Sequence, residues 1–151
     1  MRFDDRQYIT REATTPASLR DYLDKNLDYD WGGYWYYVVA HQNDSNYKAS
    51  SQSNTIYLYQ PPLLWVPNAF SSNNDGLNDT WGIVPVFVKE YNMKVYNRWG
   101  QIVYETSDKK SDWNGDYKGK TPFDEVLVWI VTYTGWDQKV YYKKGTVTIL
   151  N

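Results

Sequence analysis

The sequence predicts an all-β protein whose main part is an antiparallel β-sandwich. Aromatic residues make up 19% of the chain, with 8 Trp, 16 Tyr and 4 Phe, and such side chains suit the pleated, half-buried surface of a sheet. Short segments of alternating apolar and polar residues recur between Gly, Pro, Asn and Asp, which is the pattern of strands joined by turns. Helical spacing is confined to residues 17–27, where several aspartates interrupt it, and we interpret that stretch as a short turn or an irregular strand.

The first part of the chain is predicted to form a hairpin. Residues 34–41 follow a pair of glycines and are apolar on both faces, which is typical of a central strand. Residues 42–52 are polar and predict a loop. Residues 55–59 alternate again and predict a second strand that pairs with the first.

Two consecutive prolines mark the predicted domain boundary. Pro61 and Pro62 cannot donate hydrogen bonds to a ladder and favour extended linker geometry, so they end the second strand. We therefore place a boundary at residues 60–64. It divides the chain into a small β-module, residues 1–60, and a second domain, residues 61–151.

Strand signals recur at short spacing in the second domain. The predicted strands span residues 65–70, 81–84, 91–97, 101–106, 125–134, 140–144 and 146–150. Gly100 lies between two alternating segments, where a tight hairpin requires positive φ. Residues 114–116 and 117–120 supply further corners in the longest connection. This arrangement is typical of a β-sandwich.

The composition excludes several classes of function. With 16 Lys+Arg against 18 Asp+Glu, the net charge of −2 lacks the basic footprint of a nucleic-acid binder. The lack of Cys excludes disulfide scaffolds and Cys-ligated metals, and no apolar run is long enough to span a membrane. His41 is the only imidazole, and the sequence has no nucleophile elbow, phosphate loop or dinucleotide motif. We therefore predict no catalytic activity.

Four ordered segments carry a resemblance to a known family. The first is residues 65–81, with the sequence WVPNAFSSNNDGLNDTW. It resembles the opening motif of the gliding motility-associated C-terminal domain, the type B sorting domain of the Bacteroidota type IX secretion system. The resemblance continues through MKVYNRWGQ at residues 93–101, WNG at 113–115 and KKGTVTIL at 143–150.

The departures from the family pattern are small. Ser72 stands where the family usually has Pro, and Asn74 where it usually has Gly. Asn is tolerable there because it enters the left-handed region more readily than most residues. The common Asp-Gly pair is Asp124-Glu125 in this chain, so we expect a different turn before the strand that follows.

The resemblance implies a fold and a function. The second domain would be an immunoglobulin-like sandwich that acts as a C-terminal secretion signal for a large cell-surface protein, such as an adhesin or a gliding-related protein. The implied partner is the type IX machinery, through an outer-membrane barrel protein of the PorP/SprF kind. Export through the outer membrane to the cell surface or the medium follows from the same resemblance, and the domain itself would not span the membrane.

Residues 1–60 resemble part of a fibronectin type III or immunoglobulin-like module. Their strand Tyr36-x-Val38-x-Ala40 is similar to the penultimate strand of that fold, and residues 53–56 to its last strand. The alternative is a complete small β-domain. Because no secretory leader follows Met1, the chain is expected to be cytosolic or a piece cut from a longer precursor.

The segments of the resemblance also supply the predicted recognition residues. Residues 146–150 alternate Val and Ile with Thr, so we expect an apolar inner face and a position at the edge of a sheet, where a partner can dock. This strand and the loop of residues 68–79 would form or support the docked surface. The residues we expect to take part are Asn68, Phe70, Asn74, Asp75, Gly76, Asn78, Asp79, Arg98, Trp99, Gly100, Lys144, Gly145, Thr146, Val147 and Ile149.

Two features of these segments leave alternatives open. Asn74, Asp75, Asn78 and Asp79 offer the oxygen ligands that Ca²⁺ prefers, but without EF-hand spacing or its bidentate Glu, and we favour side chains that cap their own loop backbone. The tryptophans beside glycines at residues 99 and 113 are expected to plug corners of the sandwich, although on a recognition surface they would be anchors.

A second class of function fits the same composition. Aromatic-rich β-sandwiches also serve as carbohydrate-binding modules, which present Trp and Tyr rings to sugars. A sorting domain is expected at the extreme C-terminus of its protein, where the closing segment lies in this chain, whereas a binding module can lie anywhere.

Overall fold

The computed structural model describes residues 1–3, 14–16, 18–19, 21–42, 48–119 and 126–150. The described part is all-β and contains no helix long and apolar enough to cross a membrane. Its strands are β1 (Arg2–Phe3), β2 (Gly33–Tyr36), β3 (Val39–His41), β4 (Ser50–Gln52), β5 (Ile56–Tyr59), β6 (Leu63–Trp65), β7 (Ala69–Ser71), β8 (Val84–Val86), β9 (Val88–Tyr96), β10 (Ile102–Thr106), β11 (Val126–Gly135) and β12 (Val140–Leu150).

The main sheet has five strands in the order β10-β9-β11-β12-β7. All neighbours are antiparallel except β12 and β7, which run parallel. Burial alternates along β9 and β11 because successive side chains of a strand point to opposite faces. The inward side chains pack against Trp81, Ile83 and Trp113, which lie outside this sheet, and Leu64 of β6 contacts the same core. The predicted sandwich fold is therefore confirmed.

The predicted boundaries hold best for the long strands. β9, β10 and β11 lie within a few residues of their expected positions because apolar and polar residues alternate over most of each strand. The two strands expected at residues 140–150 are one strand, β12, which runs without interruption through Gly145. In the segment expected at 81–84, Trp81 makes an isolated bridge to Trp113, and β8 starts only at Val84.

The single strand expected at residues 65–70 is wrong. Its ends belong to two strands in different sheets, since β6 pairs with β8 and β7 pairs with β12. Pro67 lies between them, where its missing N–H breaks the ladder, and its carbonyl accepts a hydrogen bond from Trp81 Nε1 at 2.8 Å. The chain passes from one sheet to the other at this point.

The first part of the chain forms two small sheets. β2 is the central strand of the order β1-β2-β5, and its antiparallel pairing with β5 confirms the predicted hairpin. The expected strand at 34–41 is divided, because β3 leaves this sheet and pairs with β4. β4 lies inside the predicted loop 42–52, so that prediction is wrong at residues 50–52. Strand β5 ends before the prolines, as expected.

Two predictions are not decided by this fold. The turn at Asp124-Glu125 lies outside the described residues. The domain boundary at residues 60–64 stays a prediction.

Candidate recognition end of the sandwich

The register of the main sheet brings the four sequence segments to one end of the sandwich. Strand β12 runs toward this end, β7 runs parallel to it, and β9 and β10 are joined there. Thr148 lies beside both Ala69 and Val126, and Val128 lies beside Tyr96, which fixes the alignment. We call this the motif end. It consists of the opening loop (residues 72–79), the tryptophan hairpin (97–101), the WNG corner (113–116) and the end of β12 (148–150).

The opening loop folds around its own Asn and Asp side chains. Asp75 Oδ1 accepts a hydrogen bond from the Leu77 N–H at 2.8 Å, and Asp79 Oδ2 accepts one from the Gly76 N–H at 2.7 Å. Asn74 and Asn78 have φ values of 59° and 55°, the left-handed conformation that Asn tolerates. The expected self-capping is confirmed, and Asn74 takes the conformation that its family counterpart Gly would allow.

The carboxylates of this loop are largely committed to the backbone. Asp79 Oδ1 is buried without a hydrogen-bond partner among the described residues, while its other oxygen serves the loop. The described part of the chain contains no cluster of three or more His, Cys, Asp or Glu side chains suited to a metal ion. Binding of Ca²⁺ to the loop stays a prediction.

The opening loop is tied to the WNG corner. Ser72 Oγ donates a hydrogen bond to the Asn114 carbonyl at 2.6 Å. Gly115 has a φ of 90°, and a Cβ added there would lie 3.3 Å from the Phe70 ring and 3.5 Å from Ile149. Phe70 is itself in the core, so its role is to support the loop from below. The two segments therefore form one rigid surface.

The tryptophan hairpin is held by Asn97. Its Oδ1 accepts hydrogen bonds from the N–H groups of Trp99 and Gln101, each at 3.0 Å. Gly100 has a φ of 75°, which confirms the predicted tight turn. This capping aims the intervening side chains outward. The Arg98 guanidinium lies 4.8 Å from the centre of the Trp99 ring.

The two tryptophans expected as corner plugs behave differently. Trp113 is buried in the core, and its Nε1 donates to the Asp116 carbonyl at 3.0 Å, so that expectation is confirmed. Trp99 is 70% exposed, so the same expectation is wrong for it. The indole does not enter the core, and its ring lies at the surface of the hairpin.

The last three residues of β12, Thr148–Leu150, do not lie at an edge of the sheet, which corrects the expectation for this part of residues 146–150. Strand β12 pairs with β11 on one side and, over Thr148–Leu150, with β7 on the other. The expected inner face is confirmed, because Val147 and Ile149 are fully buried. Thr146 and Lys144 are exposed on the outer face. The end of the strand is therefore paired on both sides and is not a free edge.

Gly145 and Asn68 have structural tasks in the same region. A Cβ at Gly145 would lie 2.8 Å from Trp129 Cε2, so the glycine leaves room for an indole that crosses from β11. The Trp129 Nε1 donates to the Thr146 carbonyl at 3.2 Å. The Asn68 carbonyl accepts a hydrogen bond from the Thr148 N–H at 3.0 Å, which starts the parallel ladder.

Leu77 is an exposed apolar residue of this end that is not among the predicted recognition residues. It lies at the tip of the opening loop with 70% of its surface exposed, and its backbone is held by Asp75. The sequence does contain an indication of this exposure, since an apolar residue inside a run of Asn, Asp and Gly has no core to enter. Asn97 was likewise not chosen, although a polar residue before a tight turn is a capping signal.

Comparison with known families adds one match. The CHU_C family model, described as a type IX secretion signal domain, matches residues 64–149. The matched region starts in β6 and ends in β12. It contains the opening loop, the tryptophan hairpin, the WNG corner and the end of β12 as far as Ile149. No curated protein matches the chain.

Proposed function

We propose that this chain, which belongs to the CHU_C family of type IX secretion signal domains, is read by the secretion machinery at the motif end of its sandwich. Membership makes residues 64–149 a sorting signal, and such a signal implies export across the outer membrane to the cell surface or beyond. The family is one of secretion signals rather than of enzymes. The finer proposal concerns which side chains are recognised, and by what.

Most residues of the four segments have a structural task in the sandwich. Gly76, Gly100 and Gly115 permit positive φ, and Phe70, Val147 and Ile149 fill the core. The carboxylates of the opening loop cap its backbone. These residues build the shape of the motif end. Phe70, Val147 and Ile149 are buried, whereas Asp75 is exposed and its carboxylate is bonded to the loop backbone.

Trp99 and Leu77 have no comparable task in the core. Each is 70% exposed, and each is carried on a loop whose backbone is fixed by side-chain caps. Exposed aromatic residues held in a rigid frame are typical anchors of a protein interface, because they bury a large area with little loss of conformational freedom. The exposed Trp99 is the observation that carries the proposal.

The size of the motif end suits a protein partner. Strands β9 and β7 are separated by β11 and β12, so the tryptophan hairpin and the opening loop lie roughly 14 Å apart across three strand spacings. One partner surface of ordinary interface dimensions covers both loops.

The family resemblance also suggests which protein is the partner and which is the cargo. We infer that the partner is an outer-membrane barrel protein of the PorP/SprF kind, and that the cargo is an adhesin or a gliding-related surface protein. A carbohydrate-binding role is the competing proposal. It would use the same exposed rings, but it would not make export depend on them.

Export of a reporter tests this proposal. The chain is fused behind a secreted fluorescent protein in a bacterium that has a type IX system, and the reporter at the cell surface is compared for wild type and Trp99→Ala. We expect the surface signal to fall about tenfold, in the range of a lost interface anchor, with the fusion retained in the periplasm. Tyr142→Ala is the matched control, since Tyr142 is an exposed aromatic residue of β12 away from the motif end.

Folding must be separated from recognition in this experiment. Both purified variants are expected to unfold at the wild-type temperature, because neither side chain is buried. Deletion of residues 145–151 would not serve, because it removes Val147 and Ile149 from the core. Normal export of a folded Trp99→Ala fusion would reject Trp99 as the recognised residue.

A further inference from the structure

The end of the sandwich opposite the motif end is covered by aromatic residues from the first part of the chain. We call Tyr29, Trp31, Gly32, Gly33 and Tyr57 the aromatic cap. The Trp31 ring lies 4.0 Å from the Trp136 ring, measured between centroids, at an angle of 46°. Trp136 belongs to the turn between β11 and β12, and only 3% of its surface is exposed.

Hydrogen bonds hold the aromatic cap in register with the sandwich. The Phe87 N–H donates to the Tyr29 carbonyl at 2.8 Å, and Tyr57 Oη donates to the Trp136 carbonyl at 3.2 Å. The Tyr29 and Phe87 rings lie 5.8 Å apart. These bonds join backbone to backbone and side chain to backbone, so they fix the orientation of the cap as well as its position.

The two glycines of the cap are there for close approach. A Cβ at Gly32 would lie 2.7 Å from both Phe87 Cβ and Trp136 Cδ1. A Cβ at Gly33 would lie 2.9 Å from Trp136 Cε3. Neither glycine has positive φ, so turn geometry does not require them. Gly32 also accepts a hydrogen bond from the Gln60 N–H at 2.7 Å, which closes the cap onto the strand before the prolines.

Packing of this kind contributes to the stability of the sandwich. An indole buries about 150–250 Å² when it is covered, and Trp136 receives much of its cover from Trp31, Gly32 and Gly33. Without the cap, Trp136 and Phe87 would face water. The family match begins at residue 64 and therefore leaves out the residues that protect this end.

We propose that the aromatic cap is an integral part of the folded secretion signal, and that through it the sandwich holds the module immediately upstream in one fixed orientation. The smallest stable signal unit then begins before Tyr29 rather than at residue 64. The upstream polypeptide is attached at the end farthest from the motif end. A partner can engage the motif end while the cargo points away from it.

A double-mutant cycle in the full chain tests the proposal. Trp31→Ala, Trp136→Ala and the double variant are unfolded with urea. We expect the two substitutions to be coupled by about tenfold in the unfolding equilibrium constant, as for residues in direct contact. The control cycle pairs Trp31→Ala with Trp65→Ala, because Trp65 is an indole of β6 with 77% of its surface exposed. We expect that pair to be additive.

Two further variants keep the test decisive. If Trp136→Ala does not fold, Trp136→Phe replaces it in the cycle. Gly32→Val is expected to lower the midpoint of a single cooperative transition, because the added methyl groups force the cap off Trp136. Additive effects of Trp31 and Trp136, or separate transitions for the upstream module and the sandwich, would overturn the proposal and support independent folding of residues 61–151.

Discussion

At the scale of single residues, backbone geometry explains why many positions in the four family segments carry Asn or Gly. Asn74, Gly76 and Asn78 supply the left-handed conformations of the opening loop, and Asn97 caps the tryptophan hairpin. Such positions were predictable, because positive φ and local capping depend on near neighbours in the chain. The exposure of Trp99 was not, since it depends on which neighbours the folded chain places around the hairpin.

Substitution of Gly145 tests the residue-scale explanation. In Gly145→Ala, the new methyl group meets the Trp129 indole, which must shift within a packed core. We expect the free energy of unfolding to fall by about 1–3 kcal/mol, the usual cost of overpacking. Urea denaturation measures the change, with Lys144→Ala as an exposed neighbour expected to stay within about 0.5 kcal/mol. Equal stability of Gly145→Ala and wild type would show that the close Trp129 contact is unimportant.

At the scale of strands and turns, a side-chain hydrogen bond closes the turn between β11 and β12. Tyr141 Oη donates a hydrogen bond to Asp137 Oδ2 at 2.6 Å, across the turn from Gly135 to Lys139. This hydrogen bond lowers the pKa of the Asp137 carboxyl below its ordinary value of 3.8. The same bond to Asp137 raises the pKa of Tyr141 from 10.0 to about 12.

Removal of this hydrogen bond is expected to change the pH dependence of stability. The lowered pKa of Asp137 contributes stability above its unfolded pKa of about 4, and this is lost as the pH falls through the folded value. The raised pKa of Tyr141 contributes below pH 10 and is lost as the pH rises toward about 12. Tyr141→Phe should therefore destabilise the protein most between about pH 5 and 9, with the difference shrinking at both extremes. Urea unfolding across pH measures it.

A neighbouring tyrosine provides the control for that experiment. Tyr142→Phe removes a hydroxyl from an exposed ring on the opposite face of β12, and we expect its stability curve to follow the wild type. A constant difference between Tyr141→Phe and wild type at every pH would contradict the proposed role of the hydrogen bond.

The strands also show where prediction from sequence succeeds and where it fails. Regular alternation located β9 and β11, because burial of one face leaves a period of two in the chain. It could not show that the end of β12 is paired on both sides, since its second neighbour there, β7, comes from a segment far upstream. Nor could it separate β6 from β7, which depends on the two different partners that these strands find.

At the scale of the whole molecule, the sandwich has two ends with different tasks. The motif end carries the opening loop, the hairpin and the corner, together with the exposed Trp99 and Leu77. The opposite end is covered by the aromatic cap, through the contact of Trp31 with Trp136. Local sequence predicted the loops of the first end. It could not predict the cap, because that contact joins residues from opposite ends of the chain.

Site-specific photocrosslinking tests the central claim, that the secretion machinery reads the motif end. A photoreactive phenylalanine derivative replaces Leu77, Trp99 or Val140 in a fusion that is being exported; Val140 is exposed at the opposite end of β12. We expect crosslinks from Leu77 and Trp99 to an outer-membrane barrel protein of the PorP/SprF kind, and none from Val140. Crosslinks to that protein from Val140, with none from Leu77 and Trp99, would contradict it.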